Sequence, residues 1–112
     1  MEVKRGDLIV ASLPGDFRKL RPAVVVQDDA FSLTSLTVLP LTTDLRGTPS
    51  IRITIEASEE TGLRERSQIM VDKVGTILRV RIRQRIGRLD TRIMQRVGVA
   101  LSDFLGLHEH LG

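Results

Sequence analysis

The chain has 112 residues, 41% of them hydrophobic, which is enough for one domain over residues 1–112 with one core. It contains no cysteine, so disulfides and thiolate metal sites are excluded, and its only aromatic residues are Phe17, Phe31 and Phe104. The net charge of +3 is unevenly spread: residues 64–96 carry nine Arg and one Lys against Glu65, Asp72 and Asp90, whereas residues 1–63 carry seven bases against nine acids.

Of the 17 bases 14 are Arg, whose planar fork suits phosphate and carboxylate, so an anionic partner is expected: nucleic acid or an acidic protein segment. The start Met1-Glu2-Val3-Lys4-Arg5-Gly6 lacks the apolar run of a secretory signal. No stretch approaches the ~20 apolar residues of a membrane span, so a cytoplasmic protein without a membrane partner is expected.

In chain order, Leu8-Ile9-Val10-Ala11 reads as a buried strand that Pro14-Gly15 ends. A charged loop, Asp16-Phe17-Arg18-Lys19-Leu20, follows. Arg21, held extended by Pro22, stands at the mouth of a strand Ala23-Val24-Val25-Val26-Gln27, which Asp28-Asp29 closes. Residues 35–42 form another strand, placed at an edge or bulge because Pro40 lacks a donor. Ile51-Arg52-Ile53-Thr54-Ile55-Glu56 alternates strictly, a strand with one wet face.

Residues 67–71 are extended again. Between residues 78 and 86, Arg79, Arg81, Arg83 and Arg85 alternate with apolar residues, as a strand or a short helix, until Gly87 interrupts them. Asp90 then caps an amphipathic helix whose apolar stripe is Ile93, Val97, Ala100, Leu101 and Phe104, and Gly106 ends it. Short strands followed by one helix predict an α+β, mostly β fold: a strongly curved antiparallel sheet or small barrel with a C-terminal helix on it.

Five segments in this order resemble the MazF/PemK family of toxin endoribonucleases: Arg5-Gly6-Asp7, the run from Arg21-Pro22 to Asp28, Leu39-Pro40-Leu41-Thr42, Gly62-Leu63 with Ser67, and Ile86-Gly87-Arg88-Leu89. The resemblance implies an SH3-like barrel of the CcdB/PemK kind. It also implies a homodimer, single-stranded RNA across the subunit interface, and a MazE-like antitoxin whose acidic tail blocks the groove. The implied activity is metal-independent, sequence-specific cleavage of mRNA by attack of a 2′-hydroxyl on the adjacent phosphate, with no cofactor.

Such cleavage needs a proton acceptor for the 2′-hydroxyl, charge stabilisation on the phosphorane oxygens and a proton donor to the leaving 5′-oxygen, and the chain offers no central histidine for this. The resemblance assigns the catalytic pair to Arg21 and Thr42. Arg21 can donate hydrogen bonds and stabilise charge but is a poor base. Without the family context, the pair reads as a surface Arg beside a turn and a Thr ending a strand. His108 and His110 lie in the last five residues, where a frayed tail explains them better than catalysis or metal binding.

For RNA binding the expected residues are Phe17, Arg18 and Lys19 on a loop suited to covering a single strand, Gln27 and Asp28 for base edges, and Ser67 and Gln68 at a strand start. Arg79 and Arg81 complete the set as a phosphate track or an antitoxin surface. Turn chemistry and solvated surface are the ordinary explanations of the same residues.

One departure stands out. Many family members carry an Arg where this chain has Gly75, and an acid where it has Leu78, so Lys73, Arg79 or Arg81 substitutes or activity differs. Two rivals share the fold: a gyrase poison, weakened because its C-terminal tip requires a Trp and this chain has none, and a non-catalytic nucleic-acid-binding adaptor.

Overall fold

The structure, a computed structural model, describes residues 2–13, 15 and 19–107. Seven strands precede one helix: β1 Asp7–Ser12, β2 Leu20–Val25, β3 Ser35–Thr42, β4 Arg52–Ile55, β5 Ser67–Met70, β6 Gly75–Leu78, β7 Ile82–Arg88 and α1 Thr91–Phe104. Two 3-10 turns, Val71–Lys73 and Arg79–Arg81, stand before and after β6. All strand pairs are antiparallel, in the order β4-β5-β3-β2-β1-β7, with β6 also on β3. The sheet is strongly curved but not closed, in agreement with the expected curved antiparallel sheet carrying a C-terminal helix. No helix among the described residues is long and apolar enough to cross a membrane.

Each face of the sheet buries its own apolar cluster. One face packs Leu8, Val24, Leu39, Leu41, Ile53, Ile55 and Ile69 against Met94 and Val97 of α1. The other gathers Ile9, Ala11, Ala23, Val25, Leu36, Val38, Ile77 and Ile82. The period-two alternation of β3 sends Leu39 and Leu41 to the helix side and Leu36 and Val38 to the other. Sites on the second face are therefore free of the helix.

Two expectations about helix α1 change in detail. Asp90 caps it as foreseen, Oδ1 accepting from the Ile93 N–H at 2.8 Å, and Gly106 at φ 67° ends it. There the Gly106 and Leu107 amides donate to Asp103 and Ser102 carbonyls in a Schellman arrangement. Phe104, however, is 45% exposed, while Met94, outside the predicted stripe, is buried. Met94 lies over Gly6, at 3.4 Å from where a Cβ would stand.

Pro40 is not at an edge. It lies in β3, which pairs with β2, β5 and β6. On one flank β3 pairs with β6 through Ser35–Val38 and with β5 through Leu41 and Thr42, leaving Leu39 and Pro40 without a partner there. Thr37 turns its carbonyl to the Val26 and Gln27 amides, so strand alternation aims the missing Pro40 donor at this gap. A central proline costs no ladder bond where the strand is changing neighbours.

Gly87 does not interrupt its strand. β7 runs through it to Arg88, and a Cβ at Gly87 would stand 2.3 Å from the Thr61 carbonyl, as one at Gly62 would stand 2.0 Å from the Ile86 carbonyl oxygen. The glycines let the turn around Thr61 press onto β7, where Arg88 N–H donates to the Glu60 carbonyl at 2.8 Å. The arginine stripe is split: Arg79 and Arg81 occupy a 3-10 turn, and Arg83 and Arg85 lie on β7.

Candidate active site

The gap beside Pro40 is the floor of a cleft of about 490 Å³. The β2–β3 ladder ends at Ala23–Pro40, beside Pro22, which has no N–H to extend it. The same register continued by two residues sets Arg21 opposite Thr42. Both line the cleft, with Leu13, Met70, Lys73, Val74, Gly75 and Ile77 among the others.

Thr42 is half-buried, and its Oγ1 accepts from the Asp44 N–H at 3.1 Å. This turn bond fixes the hydroxyl and leaves its own hydrogen to be donated. Arg21 is exposed on the second face, above Ala23. Lys73 ends the turn that carries the chain from β5 to β6 across the gap, and is exposed at the cleft wall. The cleft thus holds two cations and a hydroxyl, with no carboxylate among its described lining residues.

Of Lys73, Arg79 and Arg81, Lys73 is the one among the cleft's described lining residues. Arg79 lies elsewhere, its Nε donating to the Leu33 carbonyl at 2.6 Å and its side chain lining a second groove of about 790 Å³. That groove also takes Gln27 and Asp28. Gln27 ties its own loop, Nε2 donating to the Phe31 carbonyl at 3.0 Å and Oε1 accepting from the Thr37 N–H at 3.2 Å. Asp28 makes a turn bond, Oδ1 accepting from the Ala30 N–H at 2.8 Å. Arg81 is exposed on its turn and lines neither hollow.

Ser67 and Gln68 are buried rather than turned to solvent. Ser67 Oγ donates to the Glu65 carbonyl at 3.0 Å. Gln68 grips the loop after Thr42 like a strand neighbour: Oε1 accepts from the Arg46 N–H at 2.8 Å, and Nε2 donates to the Arg46 carbonyl at 2.9 Å and to Thr54 Oγ1 at 3.2 Å. Neither residue is among the described lining of the cleft; Ser67 ties its own loop and Gln68 the loop after Thr42. Lys19 is exposed, and the expectations for Phe17, Arg18, His108 and His110 lie outside the described residues. Among the described residues no three His, Cys, Asp or Glu side chains come together as metal ligands.

The triplet Arg5-Gly6-Asp7 has a structural use. The Asp7 side chain, 5% exposed, accepts from Arg88 Nη1 at 2.9 Å and Arg85 Nε at 3.2 Å on Oδ1, and from the Lys4 N–H at 2.8 Å on Oδ2. Arg5 donates from its backbone to Asp29 Oδ1 at 2.7 Å and from Nη1 to the Val26 carbonyl. Arg85 is thereby spent on the fold.

The family model described as PemK-like, MazF-like toxin of type II toxin-antitoxin system matches residues 4–105. The chain belongs to this family. A probable endoribonuclease MazF of Mycolicibacterium smegmatis is 42% identical over 107 residues, covering 94% of this chain and 98% of that protein. The Mycobacterium tuberculosis toxin MazF-mt6 superposes with a TM-score of 0.79 at 25% identity, covering 92% of this chain and 99% of that one. An endoribonuclease from a mycobacterial species, solved in complex with its cognate antitoxin, gives a TM-score of 0.80 at 20% identity over 97% and 100% of the two chains.

In this PemK/MazF family member the Arg-Pro strand start and the strand-ending Thr line one cleft. The signal that sequence reading underused was Lys73, together with the aliphatic residues Leu13, Met70 and Val74 that line the cleft with it. Two of these sit next to turns, where an apolar residue looks like ordinary core.

Proposed function

We propose that this PemK/MazF family toxin cleaves single-stranded RNA, mRNA in particular, in the cytoplasm, and that Arg21 and Thr42 are its catalytic residues. The observation that carries the reading is the convergence of Arg21, Thr42 and Lys73, from three separate elements, on one open cleft. In the reaction the substrate's 2′-hydroxyl gives its proton to water as its oxygen bonds to phosphorus, and the bond to the 5′-oxygen breaks as that oxygen takes a proton from water, leaving a cyclic phosphate and a 5′-hydroxyl. Arg21 stabilises the phosphorane and donates a hydrogen bond to the departing oxygen, and Thr42 holds a non-bridging oxygen. Lys73 neutralises the phosphate on arrival. Charge is met by these cations without a metal.

The same cations suit an acidic antitoxin segment, which would block the cleft by occupying the phosphate positions. A second copy of the chain is assigned to the other groove. There Phe31, Leu33 and Val80 are 61%, 55% and 84% exposed, and the described rim carries Glu2, Asp28 and Asp29 beside Lys4 and Arg79. A rim with both signs repels a polyanion but complements itself across a two-fold axis.

The test is cleavage of a long RNA in chelator with 5′ ends mapped. The parent protein should give discrete 5′-hydroxyl ends. Arg21→Ala should lose about a hundredfold or more in kcat and Thr42→Ala about tenfold or more, with folding signals intact. Cleavage by both variants at the parental rate would overturn the assignment.

A further inference from the structure

We infer that the cleft binds one unstacked nucleobase beside the scissile phosphate, on an aliphatic floor that is open because residue 75 is glycine. The inference rests on the function proposed above and names the part of the RNA that enters the site.

The cleft has two chemically distinct parts. Arg21, Thr42 and Lys73 supply every side-chain hydrogen-bonding group among its described lining residues, and all three suit phosphate. The rest is aliphatic. Leu13, Met70 and Val74 are half-buried, so they present apolar surface to the cavity, above a floor that includes Val38 and Ile77. A nucleotide has the matching pair of surfaces, an anionic phosphate and a flat base whose faces are apolar. At about 490 Å³ the space falls within the ~300–1,000 Å³ of ordinary small-ligand sites.

Gly75 keeps this space open. Its backbone is not in the left-handed region, and a Cβ there would approach nothing nearer than the Lys73 carbonyl oxygen at 3.7 Å. Neither strain nor crowding therefore requires glycine. A larger side chain is sterically allowed and would project into the cleft that Gly75 lines. With no side-chain amide, carboxylate or aromatic ring among the described lining residues, the base rests on the aliphatic surface chiefly through shape and dispersion.

The experiment uses a short RNA with one mapped cleavage site, in which the base on either side of the scissile bond is replaced in turn by hydrogen, leaving the ribose and its 2′-hydroxyl. One of the two abasic RNAs should lose about tenfold or more in kcat/KM. Gly75→Leu should lose a similar factor on the intact RNA and less than about twofold on that abasic RNA, because the same contact is already missing. Gly75→Ala, which needs little space, should fall between parent and Gly75→Leu and serves if the leucine variant fails to fold. Cleavage of both abasic RNAs within about twofold of the intact one would overturn the base site while leaving the nuclease assignment standing. No cleavage of any RNA by the parent protein would overturn both.

Discussion

Two hollows share one face of β3 and differ in charge. The cleft at the Thr42 end and the groove at the Leu36 end are six residues apart, roughly 20 Å along a strand. Both have aliphatic walls. The cleft carries Arg21 and Lys73 without a described carboxylate, whereas the groove carries three carboxylates and two cations and is flanked by exposed apolar side chains. Apolar surface alone would not tell a ligand site from a protein interface here. The sign of the rim does, because only the cleft attracts a polyanion. If a second copy docks on the groove, the two protomers' clefts are related by its two-fold axis.

The largest effect that could break this division is at Val80. Its side chain stands out on the Arg79–Arg81 turn, so Val80→Asp costs the isolated protomer almost nothing. Across a two-fold interface the same change buries two carboxylates in apolar surroundings. Sedimentation at micromolar concentration should show a dimer for the parent chain and a monomer for the variant, with unchanged far-ultraviolet circular dichroism. A variant that remains dimeric would place the second copy elsewhere.

Next in size is Lys73→Met, which keeps the stem and removes the charge. Because Lys73 meets a phosphate already charged in the ground state, KM should rise about tenfold at low salt while kcat changes little. The plot of log KM against log salt should flatten by about 0.7, the value of one single-strand phosphate contact. A fall in kcat with an unchanged salt slope would move Lys73 from binding to chemistry. Arg79→Ala is the control on the other hollow, and should leave the salt slope as it is.

Local patterns in the sequence located most elements. The alternation in β4, the apolar run of β1 and the Asp90 and Gly106 signals around α1 all correspond to what the structure contains, and β3 runs Ser35–Thr42 as read. Arg21 and Thr42 became legible through family resemblance, and the register between β2 and β3 explains why they meet. What escaped depended on non-local partners. Pro40 suggests an edge only if its strand keeps the same neighbour throughout. Gly87 looks like a breaker until the Thr61 turn is seen against it. Arg85 joins a surface stripe on paper, but in space it answers the buried carboxylate of Asp7, far away in the chain. Gln68 reads as a polar group at a strand start, while its amide is spent on Arg46.

The smallest effect sharpens the comparison most. Gln27 is the residue whose amide looked best suited to reading a base, yet it lies at the groove and bonds at both ends to the backbone of the segment it closes. Gln27→Ala should therefore cost about 1–2 kcal/mol of stability, measured as a lower urea midpoint at constant m-value, since two hydrogen bonds are lost from a half-buried site. The mapped RNA ends should not change. A base-reading residue would behave the opposite way, with stability held and new cleavage sequences appearing, because its partner would be the RNA rather than Phe31 and Thr37. The two readouts move independently, so one variant decides whether sequence selection reaches beyond the cleft.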